Sequence, residues 1–325
     1  MGMNIKLIKE DNYVQQMENV VLPYLKERCT DGFFERVKGE NIYYRIFRSD
    51  ISSADLVLVH GFTEGADKFN EVIYYFLQAG FNVWQIQQRG HGKSFREVKD
   101  TSLVHISDYR ALVEDLHYFV EDIVKKNRTD AKRPLYLYGH SMGGGVSALY
   151  LETYPDDFQK AILTSPMLEL DSGSIPVWVA NIYAGIMTAL GKGTNYMPGN
   201  KPFSPEPDFE NSCSNCRTRF DYWFAQTVKR PEYQTCASSI VTAKQFLILT
   251  QKATDQKNCA RVRTPFLLFQ AGNDNMVKPG GQETFVSQTG KNGRLVRMES
   301  AKHEIYLCSD EDLEKYWKEI LDFLE

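Results

Sequence analysis

From residue 33 onwards, short apolar runs alternate with longer stretches whose apolar residues recur at helical spacing. The runs Phe33–Val37, Ile42–Phe47, Leu56–Val59, Val83–Ile86, Leu135–Tyr138, Ala161–Thr164, Phe266–Gln270 and Leu295–Met298 predict strands. Helical spacing predicts helices over 69–77, 109–124, 146–151 and 313–324, with one more around 239–249. This alternation calls for an α/β fold: an eight-stranded, mostly parallel sheet flanked by helices. The first two runs are separated only by Lys38-Gly39-Glu40-Asn41. That is too short for a parallel crossover, so they form an antiparallel hairpin.

The alternation breaks after Pro166, and about 70 residues pass before it resumes, too many for a structureless loop in a compact domain. The expected organisation is a core of residues 1–166 and 237–325 with a helical cap, 167–236, inserted after the sixth strand. Within the insertion, Ser172 to Gly191 carries no charged residue. At about 20 residues it has the length of a membrane span. Pro176, Asn181 and Gly185 interrupt it, and it lies in the middle of a sheet-forming chain. The better expectation is a cap helix whose Val177, Trp178, Ile182, Ile186 and Met187 line an apolar pocket or touch a membrane surface. Plain packing of the cap on the core is the alternative.

Composition narrows the class. With 42% hydrophobic and 25% charged residues among 325, the chain has the balance of a folded globular protein rather than a disordered one. A net charge of −4 without a basic stretch leaves no footprint for nucleic acid. The N-terminal MGMNIKLIKEDNYVQQ has no signal-like apolar run, so a cytoplasmic location is expected. The six cysteines are too sparse for a disulfide scaffold. Cys213 and Cys216 form an isolated CxxC, for which free thiols are expected.

The chemistry is carried by Gly139-His140-Ser141-Met142-Gly143, between the strand-like LYLY and the helix start GGVSALYLE. A nucleophilic serine on a turn this tight needs glycine two residues to either side. It also needs a general base. Of the six histidines, His140 adjoins the serine and braces the turn, while His91 supports the rim of the site. His105 and His117 read as solvated or capping residues on a helix. His60 belongs to the loop after the third strand. His303, after the last strand, is left as the base. Asp274, just past the strand-like FLLFQ, is the acid that orients it. Ser141, Asp274 and His303 thus fall at the carboxyl edge of the sheet, where open parallel sheets bind ligands, in the order used by nucleophile-elbow enzymes. The oxyanion donors are the backbone N–H groups of Met142, at a helix start, and Phe62, in the loop His60-Gly61-Phe62-Thr63.

HGFTEGADKF, QQRGHGKSF, YGHSMGGG, TSPMLEL, AGNDNMV and AKHEIYL, in this order, resemble the α/β-hydrolase superfamily, and within it the lysophospholipase and monoacylglycerol lipase group. The resemblance spans nearly the whole chain. It implies a serine hydrolase that cleaves carboxylic esters of single-chain lipids through an acyl-enzyme, with no metal and no organic cofactor. Its partner is a lipid ester, with peripheral membrane contact through the cap; Trp178, Ile182 and Ile186 are the expected substrate-binding residues there. Two other readings share the framework. One is a serine aminopeptidase, with Glu206, Asp208 and Glu210 available to hold a free amine; the other is a ligand receptor with a silent triad.

Overall fold

A computed structural model of the chain describes residues 5–171 and 177–325. Pro176 and the side chain of Val177 lie outside the described residues. Eight strands form one sheet: β1 Cys29–Glu35, β2 Asn41–Phe47, β3 Ala54–Val59, β4 Phe81–Ile86, β5 Leu135–His140, β6 Lys160–Thr164, β7 Phe266–Ala271 and β8 Gly293–Met298. Their order is β1-β2-β4-β3-β5-β6-β7-β8. β2 runs antiparallel to both neighbours and every other pairing is parallel. The mostly apolar strands β3, β5 and β7 are buried along their full length, as strands covered on both faces require.

Each predicted strand is present. The largest displacement is at β1, which begins at Cys29 rather than Phe33 and ends at Glu35 rather than Val37. β1 is an edge strand, and its first residues, Cys29-Thr30-Asp31-Gly32, are too polar to announce a strand. Val37 belongs instead to the hairpin turn, where its carbonyl accepts the Glu40 N–H and Gly39 takes a positive φ of 85°.

Helices cover both faces. One apolar cluster joins α1 (Asn70–Gln78), the final helix α8 (Asp310–Leu324) and an N-terminal helical segment containing Tyr13, Met17 and Val21. The other joins α2 (Arg110–Tyr118), α3 (Met142–Thr153), α6 (Ile240–Ala253) and α7 (Pro279–Gln288). Between β6 and α6 the chain forms α4 (Val177–Ala189) and α5 (Arg217–Lys229). Tyr222 and Trp223 of α5 are buried in the first cluster, against Tyr13. A two-residue parallel ladder, Leu103–Val104 with Ala237–Ser238, ties the segment after β4 to the approach to α6.

Candidate active site

The sheet delivers its functional loops to one edge. Ser141 follows β5, Asp274 follows β7, His303 follows β8 and Phe62 follows β3. All four strands are parallel, so all four residues leave from carboxyl ends.

Ser141 sits at φ 52°, ψ −118°, a backbone conformation L-residues seldom adopt. Its surroundings hold it there: its N–H donates to the Thr164 carbonyl at 3.0 Å, and its own carbonyl accepts from Gly145 and Met167 N–H. The flanking glycines are demanded by contact. A Cβ at Gly143 would lie 2.4 Å from the carbonyl oxygens of Val59 and His60, and one at Gly139 would lie 2.8 Å from the Gly143 carbonyl. The turn can therefore press against β3, bringing Ser141 beside the Phe62 loop.

His303 Nε2 lies 2.7 Å from Ser141 Oγ, and its Nδ1 lies 2.8 Å and 3.0 Å from the two Asp274 carboxylate oxygens. Asp274 also accepts the N–H groups of Met276 at 2.8 Å and Val277 at 3.0 Å. Burial alone would raise the Asp274 carboxyl. The hydrogen bond and charge interaction with His303, together with the two backbone donors, outweigh that and hold it below the usual carboxylate range. The structure thus brings together the three side chains that the sequence singled out.

The two expected oxyanion donors are also at hand. Met142 opens α3, where the first N–H groups have no intrahelical acceptor, and no described residue accepts a hydrogen bond from Met142 or Phe62 N–H. The Phe62 loop is braced from beneath. Gly61 N–H donates to Glu64 Oε2 at 2.6 Å, and Thr63 N–H, at φ 59°, donates to His91 Nε2 at 3.1 Å. His60 Nε2 accepts from Gln88 N–H at 2.9 Å. His91 is thus the rim support expected of it. His140 is buried with Nδ1 3.2 Å from the Thr164 carbonyl; burial, with His303 beside it, keeps it far below the ordinary histidine range, a neutral brace.

Two histidines depart from expectation. His105 is buried rather than solvated, bonded to Ser239 Oγ at 2.8 Å beside the small ladder. His117 is neither solvated nor a cap, because its ring stacks on Tyr154 at 3.7 Å. His117, Glu121 and Asp157 have metal-ligand spacing, but the Lys125 ammonium already bonds both carboxylates and the Tyr150 hydroxyl donates to Asp157.

Sequence reasoning missed a charged group behind the base. Lys68 Nζ lies 2.5 Å from Glu304 Oε1 and 3.6 Å from Glu64 Oε1, and the Tyr306 hydroxyl donates to Glu64. Burial alone would lower the Lys68 ammonium, but Glu304 and Glu64 outweigh it and raise it. Glu64 and Lys68 both lie within HGFTEGADKF, where their spacing of four was the available signal.

A cavity of about 510 Å³ opens beside this group. Its wall includes Thr63, next to Phe62, and Glu304, next to His303, while Ser141, His303, Phe62 and Met142 do not line it. Phe203, Phe220, Trp223 and Phe224 wall it; Asp67, Lys68 and Arg230 line it, with Lys201, Glu206 and Asp208 on its exposed rim. Trp178, Ile182 and Ile186 do not line it. They lie on α4 with more than half of each residue exposed. Cys213 and Cys216 are free thiols, and burial together with nearby Glu304 raises the Cys213 thiol.

A strained serine at a strand-to-helix turn, a base and acid on later loops of the same edge, and this strand order define an α/β-hydrolase. A family model described as "Serine aminopeptidase, S33" matches residues 51–310, and the chain belongs to that family of hydrolases. Among curated proteins it is similar to the monoacylglycerol lipase of Mycolicibacterium smegmatis (strain ATCC 700084 / mc(2)155), 32% identical over 160 residues. That match spans 49% of this chain and about half, 52%, of that enzyme. The probable lysophospholipase L2 of Haemophilus influenzae (strain ATCC 51907 / DSM 11121 / KW20 / Rd) is 23% identical, covering 98% of this chain and 99% of that protein. Lysophospholipase L2 of Escherichia coli (strain K12) is 26% identical, over 90% and 88%. Among solved structures, a soluble variant of monoglyceride lipase from Saccharomyces cerevisiae superposes with a TM-score of 0.73 at 17% identity, covering 90% of this chain and 94% of that one. A thermostable carboxyl esterase from Bacillus coagulans gives 0.72 at 19% identity, covering 91% and 98%. At those identities the likeness is one of fold, and the fold is the α/β-hydrolase fold.

Proposed function

We propose that the protein is a serine ester hydrolase acting on single-chain lipids, a lysophospholipid or a monoacylglycerol, through Ser141, His303 and Asp274. The observation that carries this reading is the continuous hydrogen-bonded relay from Ser141 Oγ through His303 to Asp274, beside two backbone N–H groups with no acceptor. His303 Nε2 takes the Ser141 proton as Oγ attacks the ester carbonyl. The N–H groups of Phe62 and Met142 receive the oxyanion that forms. As the tetrahedral intermediate collapses, the alcohol leaves with the proton from His303, and Ser141 is acylated. Water then attacks the acyl-enzyme, giving its proton to His303, and the second collapse releases the fatty acid and returns the proton to Ser141. Asp274 stays ionised throughout and fixes the histidine tautomer.

In this reading residues 167–236 are a cap on a core of 1–166 and 237–325. The walled cavity takes the head-group end of the substrate, because a lipid tail there would desolvate Asp67, Lys68, Arg230 and Glu304 without replacing their water. Trp178, Ile182 and Ile186 serve as a membrane-contacting stripe rather than a pocket lining, in keeping with their exposure. No helix among the described residues is long and apolar enough to cross a membrane, so the contact is peripheral.

One observation favours the aminopeptidase reading: Glu206 and Asp208 stand on the rim of the same cavity, where a free amine could dock. Assaying monoacylglycerol, lysophosphatidylcholine, p-nitrophenyl esters and proline p-nitroanilide side by side separates the two. The ester reading expects turnover of at least one lipid ester and of p-nitrophenyl esters, abolished by Ser141→Ala. Turnover of the anilide with inert esters would replace it.

A further inference from the structure

The two cysteines of the segment Cys213-Ser214-Asn215-Cys216 are free thiols, yet this segment and the arginine that follows it, Arg219, are held far more tightly than a surface loop. Ser214 and Cys216 are buried, and Arg219 is fully so. Outside the segment, Cys213, Ser214 and Asn215 bond to the loop that carries His303 and to the start of α8, and Arg219 divides its contacts between that loop, the N-terminal segment and α1.

That loop leaves β8, the outermost strand of the sheet, whose residues are largely half-buried or exposed. An edge strand fixes little beyond itself. On the sheet side the loop is held by Asp274, by the Asn273 N–H donating to the Ala301 carbonyl at 2.9 Å and by Lys68 on Glu304. Five further backbone groups of the loop are bonded by the 213–219 segment. The Asn215 Nδ2 donates to the Ser300 carbonyl at 3.1 Å, three residues before the base. The Glu304 N–H, one residue after it, donates to the Cys213 carbonyl at 2.9 Å. The Ser214 hydroxyl donates to the Leu307 carbonyl at 2.8 Å, and Asn215 Oδ1 accepts the Ser309 N–H at 3.1 Å. Arg219 closes the far end, donating to the Cys308 carbonyl at 3.0 Å and to Asp310 at 3.1 Å.

Resting on the reading of His303 as the base, we propose that Ser214, Asn215 and Arg219 are positioning residues, a strap that sets the histidine loop over Ser141. These hydrogen bonds reach the loop on both sides of His303, and two of them satisfy carbonyls of the buried residues Leu307 and Cys308. A general base must stand within a few tenths of an ångström of its working position, and a loop on an edge strand gains that precision only from a second set of contacts. The strap also faces the substrate. Cys213, Phe220, Trp223 and Phe224, within or just beyond it, line the cavity, so the part of the chain that meets the head group is the part that holds the base. Arg219 extends the connection to the N-terminal segment through the Ile8 carbonyl at 2.9 Å and to α1 through Glu71 at 3.4 Å.

The test compares wild type, Ser214→Ala, Ser214→Thr, Asn215→Ala and the Ser214→Ala/Asn215→Ala pair. Each is measured by p-nitrophenyl butyrate kinetics, by the second-order rate of labelling with a fluorophosphonate probe, and by thermal melting. Arg219 is left intact because removing it would strand buried Glu71. Positioning predicts that the double variant, still folded at the assay temperature, loses about tenfold in kcat and in labelling rate together. KM should stay within twofold, and Ser214→Thr should restore most of what Ser214→Ala loses. Wild-type kcat and labelling rate in the double variant, with only the melting temperature lowered, would reduce the strap to simple packing. A wild-type protein that neither turns over the ester nor takes the probe would overturn the hydrolase reading itself, and the strap with it.

Discussion

Two helices of similar length, with a single charged residue between them, meet opposite fates. α3, with the sequence MGGGVSALYLET, is buried along nearly its whole length, down to Glu152. α4, with the sequence VWVANIYAGIMTA, buries Ala184 but turns Trp178, Ile182 and Ile186 outward at intervals of four, with Leu190 continuing the line. A helix apolar on all sides belongs inside a protein. α3 obeys that rule, pressed between the sheet and α6, and its rigidity lets Ser141 keep a strained backbone at its first turn. α4 breaks the rule within this chain, and a contiguous exposed apolar stripe marks a surface that works against something outside it. Apolar content alone does not say which part of an enzyme performs chemistry and which part meets the substrate's environment; the neighbours of each helix do.

The sharpest way to break this contrast is at the head of α3. Ser141→Ala removes the nucleophile and leaves the packing, so esterase activity should fall on the order of a million-fold, about 8 kcal/mol of transition-state stabilisation, with an unchanged melt. Gly143→Ala attacks the packing itself. Its Cβ would meet two backbone oxygens at 2.4 Å, neither of which can swing away. Activity should fall by roughly two orders of magnitude and stability by about 1–3 kcal/mol, read from kcat/KM and denaturant unfolding.

On α4 the same scale of change should leave the fold alone. Trp178→Ser with Ile182→Ser should alter stability by no more than about 0.5 kcal/mol, because both side chains are already in water. Binding to phosphatidylcholine vesicles, measured by co-sedimentation, should fall about tenfold. Equal vesicle binding by wild type and variant would remove the reason offered for the stripe.

A change of pH rather than of sequence returns to α3. Burial pushes the Glu152 carboxyl from 4.5 up to about 9; one oxygen has no partner and the other faces the Cys259 thiol. The folded protein keeps this proton while the unfolded chain releases it. This group's contribution to stability is therefore greatest below about 4.5 and declines as pH rises toward 9. Glu152→Gln cannot ionise. Wild-type stability should fall relative to it by at most about 1.4 kcal/mol per pH unit across that window, checked by urea unfolding at several pH values.

Much of this was legible in the chain, for specific reasons. The eight strands and their hairpin were readable because interior strands such as LYLY and FLLFQ must be apolar on both faces. Ser141 and Asp274 were readable because each follows such a strand, and His303, after the edge strand β8, because the other five histidines had readier roles. The N-terminal helix through Tyr13 and Leu25, and α5 with its mixture of Arg217, Phe220, Asp221 and Trp223, left no clean period, since both bury themselves through a few aromatic rings rather than a stripe. α7, opening with Pro279-Gly280-Gly281, lacks the propensity that would announce it; tertiary packing of Phe285 and Gln282 makes it a helix. The Lys68, Glu64 and Glu304 group was invisible because Glu304 lies more than 200 residues from the other two, and spacing in sequence does not report pairs brought together by the fold.

The central claim is that Ser141 is the nucleophile, and intact-protein mass spectrometry after treatment with a fluorophosphonate probe tests it most directly. The account predicts a single adduct, located by peptide mapping to Ser141, formed in parallel with loss of ester hydrolysis and absent from Ser141→Ala. Labelling of that variant at the wild-type rate, or full inactivation with the adduct on another residue, would contradict it.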